Sequence, residues 1–162
     1  MIDETQRHAA QRLLALCRAK ELHVVTAESC TGGLVAAALT AVAGSSAVVD
    51  RGFVTYSNEA KAEMLGVEMA LIERFGAVSE PVARAMAEGA LAHSRAQISV
   101  AVTGVAGPGG GSADKPVGLV HFAAARLDGT TLTRHHVFTG DRDAVRGQSV
   151  LAALALLTEI AG

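Results

Sequence analysis

The stretch from Leu22 to Val42 constrains the fold more than any other part of the chain. Leu22, His23, Val24 and Val25 form a short apolar run that reads as a buried strand, the residues from Thr26 to Gly33 interrupt it, and Leu34 to Val42 is almost entirely apolar and rich in Ala and Leu. A strand, a turn and a helix in that order need a sheet and a layer packed upon it. The turn carries Glu28, Ser29, Cys30, Thr31 and the pair Gly32-Gly33. Its backbone N–H groups stand at a helix N-terminus, where negative charge is favoured.

The remaining segments continue the alternation. Glu4 to Ala19 reads as an amphipathic helix with Ala9, Leu13 and Leu16 or Cys17 on its inner side. Ala47 to Tyr56 reads as a strand bent near Gly52. A short helix follows, capped by Ser57 or Asn58 and stopped at Gly66. Ser79-Glu80-Pro81 opens another helix, with Val82, Met86, Ala90 and His93 recurring at helical spacing. Ile98 to Val102 is a strand that runs into a glycine-rich loop. Val117 to Arg126 and Thr131 to Phe138 then form a hairpin around Asp128-Gly129. Asp141 to Ile160 closes the chain as a helix with Val150, Leu154 and Leu157 inward. Helices and strands that alternate early and a hairpin that comes late predict a three-layer α/β/α sandwich with a mixed sheet of about five strands. At 162 residues this is expected to be one domain over 1–162, able to bury about 70% of its unfolded surface.

Composition narrows the function classes. Aromatic residues make up 3% of the chain and Trp is absent, so stacking platforms for single-stranded nucleic acid are not expected. A formal net charge of −2 without a basic run gives nucleic acid or an anionic membrane no electrostatic hold. Residues 29–49 carry no charge, but Ser, Thr and Gly at the ends of that stretch make it a buried helix rather than a membrane span. The N-terminus lacks the regions of a signal peptide. Cys17 and Cys30 are the only cysteines and have no metal-ligand spacing, which points to a reducing cytoplasm, no zinc site and no disulfide.

Four polar groups stand at strand ends or edges: Ser29, Tyr56 with Lys61 five residues on, Ser45-Ser46 and Thr103. In an open α/β sheet, ligands gather beyond the carboxyl ends of strands. A Ser becomes a nucleophile only with a base. None of the six His residues falls in a strand-end motif, which leaves Lys61 as the better candidate. A Lys with an ordinary pKa of about 10.4 must lose roughly 3 units by burial or a neighbouring cation to act as a base. Plainer readings stand beside these. Ser29 could be a helix cap, Cys30 a small buried side chain, Lys61 a solvated helix residue, Glu28 a surface ion-pair member and Asp141 a cap. The loop Thr103-Gly-Val-Ala-Gly-Pro-Gly-Gly-Gly-Ser112 matches neither the P-loop nor the dinucleotide fingerprint, yet its glycines allow close backbone approach to a ligand. Arg142 before the last helix could meet a phosphate or carboxylate.

Ala27-Glu-Ser-Cys-Thr-Gly-Gly33, Gly44-Ser-Ser46, Arg51 to Lys61, Gly76 to Pro81, Thr103 to Pro108, Lys115-Pro-Val-Gly118 and Gly140-Asp-Arg142, in that order, closely resemble the stand-alone form of the CinA C-terminal-domain family, the nicotinamide-nucleotide amidohydrolases. The resemblance implies hydrolysis of the carboxamide of nicotinamide mononucleotide, in pyridine nucleotide recycling, by a Ser nucleophile and a Lys base without a cofactor or metal. Ser29 and Lys61 are the implied pair, with Ser46 as the rival nucleophile and Tyr56 and Thr103 orienting the amide or the Lys. Glu28, Thr31, Gly32, Gly33, Gly104, Gly107 and Arg142 are implied substrate contacts. The expected partner is a small nucleotide, and Ala-rich helices suggest a homodimer. Larger relatives carry an N-terminal domain absent from this sequence. The competing class is a non-catalytic nucleotide-binding or damage-associated module.

Overall fold

A computed structural model describes residues 1–162 as six α-helices around a five-stranded mixed sheet. The elements are α1 (Glu4–Ala19), β1 (Val24–Glu28), α2 (Leu34–Thr40), β2 (Val49–Val54), α3 (Asn58–Leu65), α4 (Met69–Phe75), α5 (Glu80–Ala92), β3 (Ile98–Gly104), β4 (Leu119–Arg126), β5 (Thr131–Val137) and α6 (Arg142–Ala161). The strand order is β2-β1-β3-β4-β5. β1 is parallel to both β2 and β3, and the β3–β4 and β4–β5 pairs are antiparallel. The three-layer α/β/α architecture is as the sequence predicts.

The pleat of β1 feeds two cores. Val24 belongs to an apolar cluster shared with α1, α2 and α6, whereas Val25 and Ala27 belong to a second cluster shared with α3, α4 and α5. β1 and most of β3 are buried on both faces, as strands covered by helices on each side must be. The edge strands β2 and β5 are largely half-buried or exposed.

Helix ends follow the capping residues. Ser57 accepts a hydrogen bond from the Ala60 amide, Gly66 ends α3 in the left-handed region, and Asp141 accepts from the Ala144 amide at the start of α6. The inward face of α1 is Gln6, Ala10, Leu13, Leu14 and Cys17 rather than the stripe through Ala9 and Leu16, because α1 packs against both α2 and α6. His93 caps α5 and is exposed. α4 was not expected. The uncharged stretch 29–49 contains only one short helix, the seven-residue α2, followed by a 3-10 turn and the first residue of β2. α6 is the one helix long and apolar enough to cross a membrane, and it instead lays Val145, Val150, Leu154 and Leu157 into the core.

α3 and α5 touch at Gly89, where an added Cβ would overlap the Leu65 carbonyl oxygen. Gly89→Ala would gain about 1 kcal/mol of helix propensity, yet the overlap is with backbone and cannot be relieved by a rotamer. The variant is expected to lose about 1–3 kcal/mol net, measured as a lower urea midpoint.

Candidate active site

Pairing of the parallel strands lines up their carboxyl ends. Glu28 is opposite Val54 on one side and Val102 on the other. The Ser29 amide donates to the Val102 carbonyl at 2.9 Å, and the Thr55 amide donates to the Glu28 carbonyl at 2.8 Å. Ser29, Thr55-Tyr56 and Thr103 therefore converge, and a cavity of about 310 Å³ opens above them. Ser29, Cys30, Tyr56, Lys61, Thr103, Gly104, Gly107 and Arg142 line it, together with Asn58, Ala77 and Val78.

α3 buries only two side chains, Leu65 and, one turn earlier, Lys61. Lys61 occupies the position where an apolar residue would ordinarily complete the inner face, and it is 1% exposed. Its Nζ lies 3.0 Å from Ser29 Oγ and 2.8 Å from the Thr55 carbonyl oxygen, with the Tyr56 carbonyl at 3.4 Å. No carboxylate bonds to it, and desolvation holds its pKa below the ordinary lysine value.

Glu28 and Ser29 are adjacent in sequence and serve opposite faces of the sheet. The fully buried Glu28 carboxylate accepts from the Thr31 hydroxyl at 2.6 Å and from the Val35 and Ala36 amides at 2.8 and 3.0 Å. The anion expected at the N-terminus of α2 is thus part of the chain. Glu28, Thr31, Gly32 and Gly33, expected as substrate contacts, do not line the cavity; the Glu28 carboxylate instead caps the start of α2. Glycine at 32 and 33 meets the positive φ of the turn, +57° and +103°.

Ser46 is also displaced from the site. It sits exposed in the 3-10 turn before β2, and Val24 pairs with Val49 at the start of both strands. Parallel pairing therefore puts Ser46 at the amino edge of the sheet and Ser29 at the carboxyl edge. Thr103 is 1% exposed and donates its hydroxyl to the Ala77 carbonyl at 2.9 Å, tying β3 to the turn before α5. Tyr56 addresses Lys61 through its carbonyl, while its hydroxyl accepts from Arg142 at 3.2 Å at the cavity mouth. Arg142 also donates to the Gly107 carbonyl at 2.7 Å and so spans the mouth between Tyr56 and the glycine-rich loop. Burial pushes the Cys30 thiol up to about 11. It stays protonated near neutral pH, which disfavours a thiolate nucleophile.

One neighbour of the turn was not anticipated. Arg146 on α6 donates from Nε to the Cys30 carbonyl at 3.1 Å and from Nη2 to the Thr31 carbonyl at 3.2 Å. Nothing in the spacing of residues 31 and 146 signals such a contact.

This is the layout of an α/β/α protein with a buried serine–lysine pair at the carboxyl edge of its parallel strands. The chain belongs to the CinA C-terminal domain family, which matches residues 6–161. It is 51% identical over 157 residues to the nicotinamide-nucleotide amidohydrolase PncC of Escherichia coli K12, covering 97% of this chain and 95% of that one. It is 55% identical over 140 residues to the PncC of Enterobacter agglomerans, covering 86% and 85%. Among solved structures, the competence/damage-inducible protein CihA of Agrobacterium tumefaciens superposes with a TM-score of 0.97 at 50% identity, covering 99% and 98% of the two chains. A CinA-superfamily protein of Klebsiella pneumoniae superposes with a TM-score of 0.92 at 40% identity, covering 96% and 97%.

Two stability measurements check these assignments. Glu28→Gln turns a donor toward groups that are themselves donors, and is expected to cost about 1–3 kcal/mol in urea unfolding. For Lys61, the folded pKa lies below the unfolded value of about 10.4. The folded state then binds fewer protons between those two values, so wild-type stability rises with pH there. Lys61→Met lacks this dependence. The wild type should gain on the variant as pH climbs into that window, and parallel curves would contradict a depressed lysine.

Proposed function

We propose that this protein hydrolyses the carboxamide of nicotinamide mononucleotide to nicotinate mononucleotide and ammonia, with Ser29 as nucleophile and Lys61 as general base. The observation that carries the reading is the 3.0 Å approach of Ser29 Oγ to a buried lysine amine without a carboxylate partner. About half of the chain's residues match proteins named for this activity, which supports the choice of substrate.

Neutral Lys61 has two N–H donors and one lone pair. The Thr55 carbonyl, with that of Tyr56 nearby, takes the donors, leaving the lone pair for the Ser29 hydroxyl. As Ser29 Oγ attacks the amide carbon, its proton passes to Nζ. The tetrahedral anion then collapses, the C–N bond breaks, and Nζ returns that proton to the departing nitrogen, which leaves as ammonia. Water next attacks the ester and gives a proton to Nζ. As the acyl–oxygen bond breaks, Nζ returns that proton to Ser29 Oγ, which releases the acid and restores both Ser29 and neutral Lys61. The Cys30 amide donates to no carbonyl or side-chain oxygen of the chain and belongs to a residue lining the cavity, which makes it the candidate donor to the anion. Arg142, at the mouth, is the candidate contact for the phosphate.

Ammonia release from nicotinamide mononucleotide, with EDTA present and with nicotinamide and the dinucleotide as controls, tests the reading. Release from the mononucleotide is expected, with Ser29→Ala and Lys61→Ala each lowering kcat by about 10³-fold or more and Ser46→Ala leaving it unchanged. kcat should rise with pH to a plateau whose midpoint lies below the ordinary lysine value of about 10.4. No release from any of the three by folded protein would replace the enzyme with a binding module.

A further inference from the structure

We infer that Arg146 is a positioning residue for the reaction, acting through the turn that carries Ser29; the inference rests on the proposed serine mechanism. Three successive carbonyls of the turn between β1 and α2, those of Ser29, Cys30 and Thr31, are held by hydrogen bonds. The Ser29 carbonyl accepts from the Gly32 amide at 3.1 Å, and the Thr31 carbonyl accepts from the Leu34 amide at 3.0 Å. The Cys30 carbonyl has no partner in the chain other than Arg146 Nε, and Nη2 of the same guanidinium takes the second acceptor position of the Thr31 carbonyl.

The consequence follows from the geometry of a peptide. Cys30 lies between two peptide planes, one fixed by Gly32 and the other by Arg146. If the second plane were free to rotate, the Cys30 carbonyl could turn toward the reacting amide and present an acceptor where the developing anion needs a donor. The fork prevents this by drawing two successive carbonyls toward α6. A guanidinium suits the task because its donors are coplanar and fixed in relative direction, whereas a lysine ammonium offers one movable point of charge. Arg146 makes no salt bridge of its own, so its hydrogen bonds are committed to this turn. The fit is close, since a Cβ at Gly32 would lie 3.4 Å from Nη2.

Arg146 also lines a separate cavity of about 260 Å³ behind the turn, with Ile2, Gln6, Leu34 and Asp143 among its walls. This opening gives a small cation a path to the place of the side chain and makes chemical rescue a discriminating experiment. Arg146→Ala should lower kcat about 100-fold, within the range for loss of one oxyanion donor, with KM changed less than about threefold. Arg146→Lys should recover no more than about a tenth of the lost rate. Millimolar guanidinium should raise kcat of Arg146→Ala at least about fivefold, without accelerating the wild type or Lys61→Ala. Three results would each overturn the inference: wild-type kcat in Arg146→Ala, full activity in Arg146→Lys, or a defect confined to KM. If the wild type releases no ammonia from the nucleotide, the substrate assignment fails first, and labelling of Ser29 by a fluorophosphonate probe decides on Arg146. Labelling at least about tenfold slower in Arg146→Ala sustains the positioning role. Equal labelling, or none in the wild type, ends it.

Discussion

The burial of one amine organises the region around the site. An isolated ammonium taken out of water costs several kcal/mol even after relaxation, and Lys61 has three nearby carbonyls and a hydroxyl rather than a counter-ion to offset it. Proton loss is the cheaper remedy, and it is the one that the proposed mechanism requires. The surroundings make the arrangement hold: α3 is pinned against α5 at Gly89, Leu65 anchors the same face one turn on, and Thr55 is tied to the end of β1. Any change that let α3 lift would hydrate the amine and return it toward an ordinary lysine.

The pleat of β1 divides the labour between neighbouring residues. Glu28 turns toward α2 and satisfies two amides at the start of that helix, while Ser29 approaches α3 and its lysine. Glu28 and Arg146 then hold the same short turn from the layer formed by α1, α2 and α6, one through amides and a hydroxyl and the other through carbonyls. Neither faces the cavity. Ser29, the proposed nucleophile, is thus set by groups that do not line the cavity, which leaves the cavity wall to the glycine-rich loop, Tyr56 and Arg142.

Much of this was legible before any coordinates. Caps at Ser57 and Asp141, the helix opening at Ser79-Glu80-Pro81, the stop at Gly66 and the Asp128-Gly129 turn are local signals, and the observed elements begin or end beside them. The association of Ser29 with Lys61 was readable because Ser29 directly follows β1 and Lys61 lies on the helix that follows β2. What spacing did not reveal has a common cause. Ser46 also borders a strand, but sequence proximity does not say which edge of the sheet that border occupies, and parallel pairing puts it at the edge opposite Ser29. Glu28 looked available for a ligand because the helix amides that occupy it lie seven and eight residues on. Arg146 was invisible, since its partners are backbone carbonyls 115 and 116 positions away and carry no side-chain signature. α4 went unread because seven residues between two turns leave little periodicity to detect.

The change from parallel to antiparallel pairing between β3 and β4 has an effect beyond topology. A parallel successor to β3 would need a crossover, most often a helix, to return the chain to the other edge of the sheet. Because β4 runs back at once, the segment from Val105 to Gly118 remains above the site, bound by the Arg142 bond to Gly107 and by Lys115, which donates to the Phe75 carbonyl. The wall that shapes the cavity is therefore a direct strand-to-strand connection, with no helix or strand of its own to preserve. Such a segment can be lengthened, shortened or changed in sequence while the strands beneath keep their register, so that the shape of the cavity can vary independently of the Ser29–Lys61 pair.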